Sequence, residues 1–289
     1  MITEANQSDS LRSDQTIRIT ILVDDHAGHG LMQEHGFSLW IETPEKRILF
    51  DTGQGEALLP NSRIMGVDLS TCDDVVLSHG HYDHTGGLPD LFQKNQRVKV
   101  YCHPGALLPR HEAGGKNVRS VGIPSDSLYS LESIPDTRIH WATGPCRLSD
   151  GIGLTGPIPR STGYEDTGGA FILHPDLRDP DPMDDDLALW IETETGLIVC
   201  VGCSHAGVIN TLQYILDLNP GSKIRAVLGG FHMLHASSDR MERTEFELHN
   251  INPDLVIPCH CTGDAATKGL AKTMGNRLIA GEAGQVFHF

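Results

Sequence analysis

Short apolar runs, each ending in a polar cluster, dominate the chain. Segment 16–24 (TIRITILVD) alternates β-branched and apolar positions with polar ones, the period-2 pattern of a half-buried strand. Segments 37–43 (FSLWIET) and 46–53 (KRILFDTG) predict two more strands joined by a turn at Pro44. Segments 73–81 (DDVVLSHGH) and 98–104 (VKVYCHP) predict strands that run straight into histidines, and helices are predicted near 55–65 and 85–93. The second half has a similar build. Strands at 187–193 (LALWIET) and 197–205 (LIVCVGCSH) precede a helix over 207–218 and a strand at 223–232 (KIRAVLGGFH). A polar helix near 239–250, a strand at 254–263 (DLVIPCHCTG), a helix over 264–275 and a closing strand (GQVFHF) complete it. Two β-rich halves with helices between strands predict an α+β fold, two sheets packed together with helices outside.

Two stretches break the pattern. Residues 1–15 are polar and predict a mobile tail before one domain over 16–289. Residues 104–186 are rich in Gly, Pro, Ser and Asp, with weak periodicity, and predict a loop-rich insertion.

Composition narrows the function. A formal net charge of −16 and no basic run argue against a nucleic-acid partner. No apolar run reaches the roughly 18–20 residues that a membrane helix needs, so no membrane partner is expected. The first residues have no apolar secretory core, and seven cysteines is an odd number, so reduced thiols and a cytoplasmic location are expected. The thiols of Cys200, Cys203, Cys259 and Cys261 are read as small buried groups rather than a separate zinc site. The sequence assigns no oligomeric state.

The chemistry is concentrated in His79-Gly80-His81-Tyr82-Asp83-His84, just after an apolar strand. Three imidazoles and a carboxylate within six residues would make a poor core, because buried polar groups need partners. On a loop, His79 and His81 can face one point while Asp83 and His84 face another nearby. Such nitrogen and oxygen donors suit Zn, and also Mn or Fe. His35, in Glu34-His35-Gly36, is either a residue of the cleft or a turn histidine.

HGHYDH followed by Thr85-Gly86-Gly87-Leu88 resembles the H-x-H-x-D-H signature of the metallo-β-lactamase superfamily. That resemblance implies a four-layer αββα sandwich and two divalent metal ions, Zn first. It implies His79 and His81 on one metal with His205 of VGCSH, and Asp83 and His84 on the other with His260 of IPCH. Asp51, in FDTG, resembles an aspartate that orients ligand histidines. In one place the chain departs from the family: where a bridging aspartate is expected stands Leu228-Gly229-Gly230-Phe231-His232, and water or hydroxide alone could bridge two metals there.

EHGFSLWIE, GPIPR, DDLALWIET, GCSHAGVINT, LGGFHM and PCHCTG together look like one branch of the superfamily, the metal-dependent hydrolases similar to dihydropterin-methyl-ribofuranosylaminobenzene-phosphate synthase. The implied reaction is hydrolysis of a small-molecule ester or phosphoester by a metal-bound hydroxide. Asp83 then serves as ligand and proton acceptor, His232 contacts substrate or protonates a leaving group, and Arg160 of GPIPR either reaches a substrate phosphate or is a surface arginine or loop anchor. Two alternatives stand beside it. One is a transferase that joins a pterin diphosphate to an aryl amine. The other is a non-catalytic metal or ligand sensor, for which the missing aspartate is the warrant.

Overall fold

The computed structural model describes residues 16–114 and 117–289. The tail expected over residues 1–15 lies outside the described residues. Three sheets form. The first has seven strands in the order Val286–His288, Arg18–Val23, Ser38–Glu42, Arg47–Phe50, Asp74–Val76, Lys99–Cys102, Ile139–Trp141. The second has six, in the order Leu255–Cys259, Ile224–Gly230, Gly196–Val201, Ala188–Thr193, Ile152–Leu154, Cys146–Ser149. A small third sheet pairs Phe171–Ile172, His111–Gly114 and Asn117–Ser120.

The period-2 pattern explains how the layers stack. Ile19, Leu39, Ile41, Ile48 and Phe50 of the first sheet meet Leu189, Ile191, Ile198, Cys200, Leu228 and Ile257 of the second in one buried cluster. The residues between them point the other way. Leu22, Trp40, Leu49, Val75 and Val100 form a second cluster with Leu58, Leu88, Leu91 and Leu131, which come from helices Leu58–Ile64, Leu88–Lys94 and Ser125–Glu132. Trp190, Val199, Val227 and Val256 form a third with Ile209, Leu212, Leu248 and Leu270, from helices Val208–Leu218, Ser238–Ile251 and Asp264–Met274. Three apolar interfaces make four layers, the αββα sandwich.

The stretch 104–186 contributes more regular structure than its composition suggests. Its strand Ile139–Trp141 extends the first sheet, and Cys146–Ser149 and Ile152–Leu154 extend the second. These strands have only three or four residues each, too short for alternation to stand out among glycines and prolines.

The topology gathers polar strand ends at one edge. Gly196–Val201, Ile224–Gly230 and Leu255–Cys259 run parallel, so the segments carrying His205, His232 and His260 leave the sheet on the same side. Arg47–Phe50 and Asp74–Val76 are also parallel and lead to Asp51 and His79. Turns there are tight: Asp51, Ser204, His232 and His260 have φ of 59°, 55°, 47° and 46°. Non-glycine residues in the left-handed region cost free energy and cluster at functional sites.

Candidate metal centre

His79, His81 and His205 come together, each with one ring nitrogen within 4.8 Å of the others. His205 Nδ1 donates to the Thr167 carbonyl at 2.8 Å, which leaves Nε2 as the free lone pair. His79 Nδ1 contacts Ser78 Oγ at 2.8 Å, and that hydroxyl donates to Asp51 Oδ2 at 2.6 Å. Burial first, and then neighbouring cationic groups, hold His79 and His205 well below the ordinary imidazole range. Burial likewise holds His81 down, with Asp83 opposing. Neutral imidazole is the form that binds a metal.

Asp83, His84 and His260 meet beside them. Asp83 Oδ2 is 3.7 Å from His84 Nε2 and 3.3 Å from His260 Nε2. Burial alone would raise the Asp83 carboxyl, but His84, His260 and His81 outweigh it and hold it well below the usual carboxylate range. His84 Nδ1 donates to Asp51 Oδ2 at 2.8 Å, so Asp51 steers both histidine groups, directly for His84 and through Ser78 for His79.

The residues fit a metal centre. Among the described residues, nothing hydrogen-bonds to the buried atoms His81 Nε2, His205 Nε2 and His260 Nε2. An unpaired buried polar group costs about 1–3 kcal/mol, and divalent cations held among these imidazoles would remove that cost.

His35 faces the same place: Nδ1 lies 3.0 Å from Asp25 Oδ2 and Nε2 lies 3.4 Å from Asp83 Oδ2. His232 packs beside His205 with ring centroids 4.4 Å apart and the rings tilted by 45°. A Cβ at Gly168 would sit 1.7 Å from His232 Cδ2, so the loop that supports His205 must also be glycine there to admit the His232 ring. Arg160 is not brought to the site. It is exposed, and its Nη2 donates to the Pro182 carbonyl at 2.9 Å.

Several contributors escaped the sequence reading. Asp25 Oδ1 accepts from His260 Nδ1 at 2.6 Å, and Asp24 Oδ2 accepts from the His260 amide at 2.8 Å. The signal was present, since Asp24-Asp25 ends an alternating strand just as the ligands do. Asp185 Oδ2 accepts from the Gly80 amide at 2.8 Å and is clamped by buried Arg110, whose Nη1 and Nη2 donate to it at 2.5 Å. Cys203, read as a small structural thiol, places Sγ 3.1 Å from His84 Nε2. Cys200 does turn into the apolar layer between the sheets, so the two cysteines have different surroundings.

A cleft of about 590 Å³ opens over these groups, lined by His81, Asp83, Phe171, His232 and His260. Among the described residues, Arg119 is the one arginine or lysine on its wall. Its Nε donates to Glu112 Oε2 at 2.6 Å. No described helix is long and apolar enough to cross a membrane.

Known proteins are similar to this chain over nearly its whole length. An uncharacterized protein of Methanocaldococcus jannaschii, MJ0448, is 33% identical over 93% of this chain and 98% of its own length. The 7,8-dihydropterin-6-methyl-4-(beta-D-ribofuranosyl)-aminobenzene-5'-phosphate synthase of the same organism is 29% identical over 94% of this chain and 97% of its own. The crystal structure of Tm1679, a metal-dependent hydrolase of the beta-lactamase superfamily, superposes with a TM-score of 0.80 at 28% identity, covering 94% of this chain and 98% of that one. The sequence model of the metallo-beta-lactamase superfamily matches residues 32–214, which with the four-layer fold and the clustered histidines makes this chain a member of that superfamily.

Proposed function

We propose that the chain is a metal-dependent hydrolase of a small-molecule ester or phosphoester. Two divalent metal ions, Zn first and Mn or Fe as substitutes, are held by His79, His81 and His205 on one side and by Asp83, His84 and His260 on the other. The observation that supports this reading is the cluster of buried imidazoles beside an open cleft, in which His81 Nε2, His205 Nε2 and His260 Nε2 are unpartnered and His81 and His260 line the cleft.

When bound, such metals polarise a substrate oxygen and lower the pKa of water from 15.7 to about 7. The protein's own groups do the rest. Asp83, kept ionised by the histidines around it, accepts the proton lost by the attacking nucleophile. His232, on the cleft wall, donates a proton to the leaving oxygen. His35 holds Asp83 in place from the solvent side. Arg119 offers a guanidinium to a substrate phosphate, exchanging part of its contact with Glu112. Phe171, packed 4.8 Å from the His81 ring, supplies an apolar wall that limits water.

The test is turnover of phosphoester and carboxylic-ester panels before and after metal removal. The expected result is activity that disappears with chelation and returns with Zn or Mn. Turnover that survives complete metal removal overturns the proposal.

A second reading, group transfer, is favoured by the likeness to the dihydropterin synthase along both full lengths. There an amine replaces water as nucleophile and diphosphate leaves. Diphosphate release from a pterin diphosphate plus an aryl amine would select it. Stoichiometric metal with no turnover in either assay would select the sensor instead.

A further inference from the structure

Gly230 stands where a bridging carboxylate was expected, and the structure explains why no side chain can be there. A Cβ at Gly230 would lie 2.5 Å from the Gly202 carbonyl oxygen and 2.6 Å from Cys261 Sγ. The room that an acidic side chain would need is already taken by a backbone oxygen and a thiol.

The thiol of Cys203 lies at the centre of the histidine cluster. Its Sγ is within 4.8 Å of ring nitrogens of His79 and His84, of His205 and His232, and of His260. Those residues come from both halves of the centre. Cys203 is 2% exposed, and its Sγ is 3.1 Å from His84 Nε2. The backbone is held to deliver it. A Cβ at Gly202 would meet Ser78 Oγ at 2.0 Å, and Ser204 adopts a left-handed φ of 55°. His205 Nε2 and His260 Nε2 are buried and unpartnered, and each of these residues has a ring nitrogen within 4.8 Å of this sulfur.

We propose that Cys203 Sγ is a metal ligand, shared between the two histidine sets, that stands in for the carboxylate Gly230 cannot provide. The inference rests on the metal-centre reading above and adds a sulfur donor to it. As the metal–sulfur bond forms the S–H bond breaks, and the proton leaves to the buffer. Cys261, which groups with Cys203 and His260, is the competing candidate. Cys203 is preferred because it reaches histidines of both sets.

Loading the metal-free protein with Co(II) tests this. A thiolate ligand gives an intense near-ultraviolet charge-transfer absorption that imidazole and carboxylate do not. The wild type and Cys261→Ser are expected to show the band, and Cys203→Ser is expected to lose it and to bind one Co(II) at least tenfold more weakly, the lower end of what even supporting residues contribute. Circular dichroism checks that each variant folds. Two Co(II) bound by the wild type without the band overturns the sulfur ligand while leaving the metal centre intact, and this needs no variant. A band that persists in Cys203→Ser and vanishes in Cys261→Ser overturns it in favour of Cys261. A wild type that binds no Co(II) overturns both readings.

Discussion

Asp51 Oδ2 and His84 Nδ1 lie 2.8 Å apart, and both side chains are completely buried. The same carboxyl group also accepts from the Ser78 amide at 2.7 Å and the Ser78 hydroxyl at 2.6 Å. One residue therefore sets the orientation of His84 directly and of His79 through Ser78. An asparagine has one acceptor oxygen and must lose at least one of these contacts. Asp51→Asn is expected to weaken metal binding about 10–100-fold, measured by competition with a chromophoric chelator. An unchanged affinity would show that the histidines are oriented by packing alone.

Arg110 is 1% exposed and donates to both Asp181 and Asp185. Removing one partner of a buried ion pair leaves an uncompensated charge, at a cost of about 3–5 kcal/mol. Arg110→Met is expected to lower the unfolding free energy measured by urea titration by about 3–5 kcal/mol and to loosen the Gly80 turn that Asp185 holds. A variant as stable as wild type would mean the Arg110 network contributes nothing net.

Gly80 separates His79 from His81, and a Cβ there would lie 2.1 Å from the Ala106 carbonyl oxygen. Backbone, not a flexible side chain, blocks the position. Gly80→Ala is expected to displace His79 and His81 and to abolish turnover, whereas Gly144→Ala, with nothing within 4 Å of its Cβ, should leave turnover intact. Equal activity in the two variants would contradict the packing described.

Burial pushes the Asp186 carboxyl from its ordinary 3.8 up to about 7, with the Ala206 amide opposing and Asp185 adding to the rise. A raised folded-state value means the native state binds more protons than the unfolded chain. Its stabilising contribution is complete below 3.8 and is lost as pH rises through about 7. Metal-free wild type should therefore lose Tm relative to Asp186→Asn across that window, with the two curves parallel below it. Parallel curves throughout would mean that Asp186 titrates normally.

Arg119 lines the cleft, while Arg160 binds the Pro182 carbonyl outside it. Arg119→Ala is expected to raise KM for a phosphorylated substrate roughly tenfold, the lower range for a hydrogen bond to a charged group. Arg160→Ala should leave KM unchanged. The opposite ranking would return the phosphate site to Arg160.

Much of this cluster was legible because histidines and carboxylates gathered at strand ends stand out from the apolar runs before them. His79, His81, Asp83 and His84 stand together in the chain, and His205 and His260 each end an apolar run. The layers were legible because Ile19, Ile21, Leu39 and Ile41 alternate with residues facing the other way. What stayed hidden depends on distance across the fold. Asp25 reaches His260 from 235 positions away, and Arg110 reaches Asp185 from 75. Cys203 looked like its neighbour Cys200 in the sequence; a left-handed turn at Ser204 and the close approach at Gly202 put it among the histidines. Arg160 sat in a phrase shared with a branch of the family, and a phrase says nothing of where its side chain lies.

Elemental analysis of the Zn-reconstituted protein counts the metals that the proposed six ligands hold. Two equivalents per wild-type chain are predicted, falling to one when His84 and His260 are both replaced by alanine in a chain that remains folded. A wild type holding less than one equivalent, or a double variant that still holds two, would contradict the account.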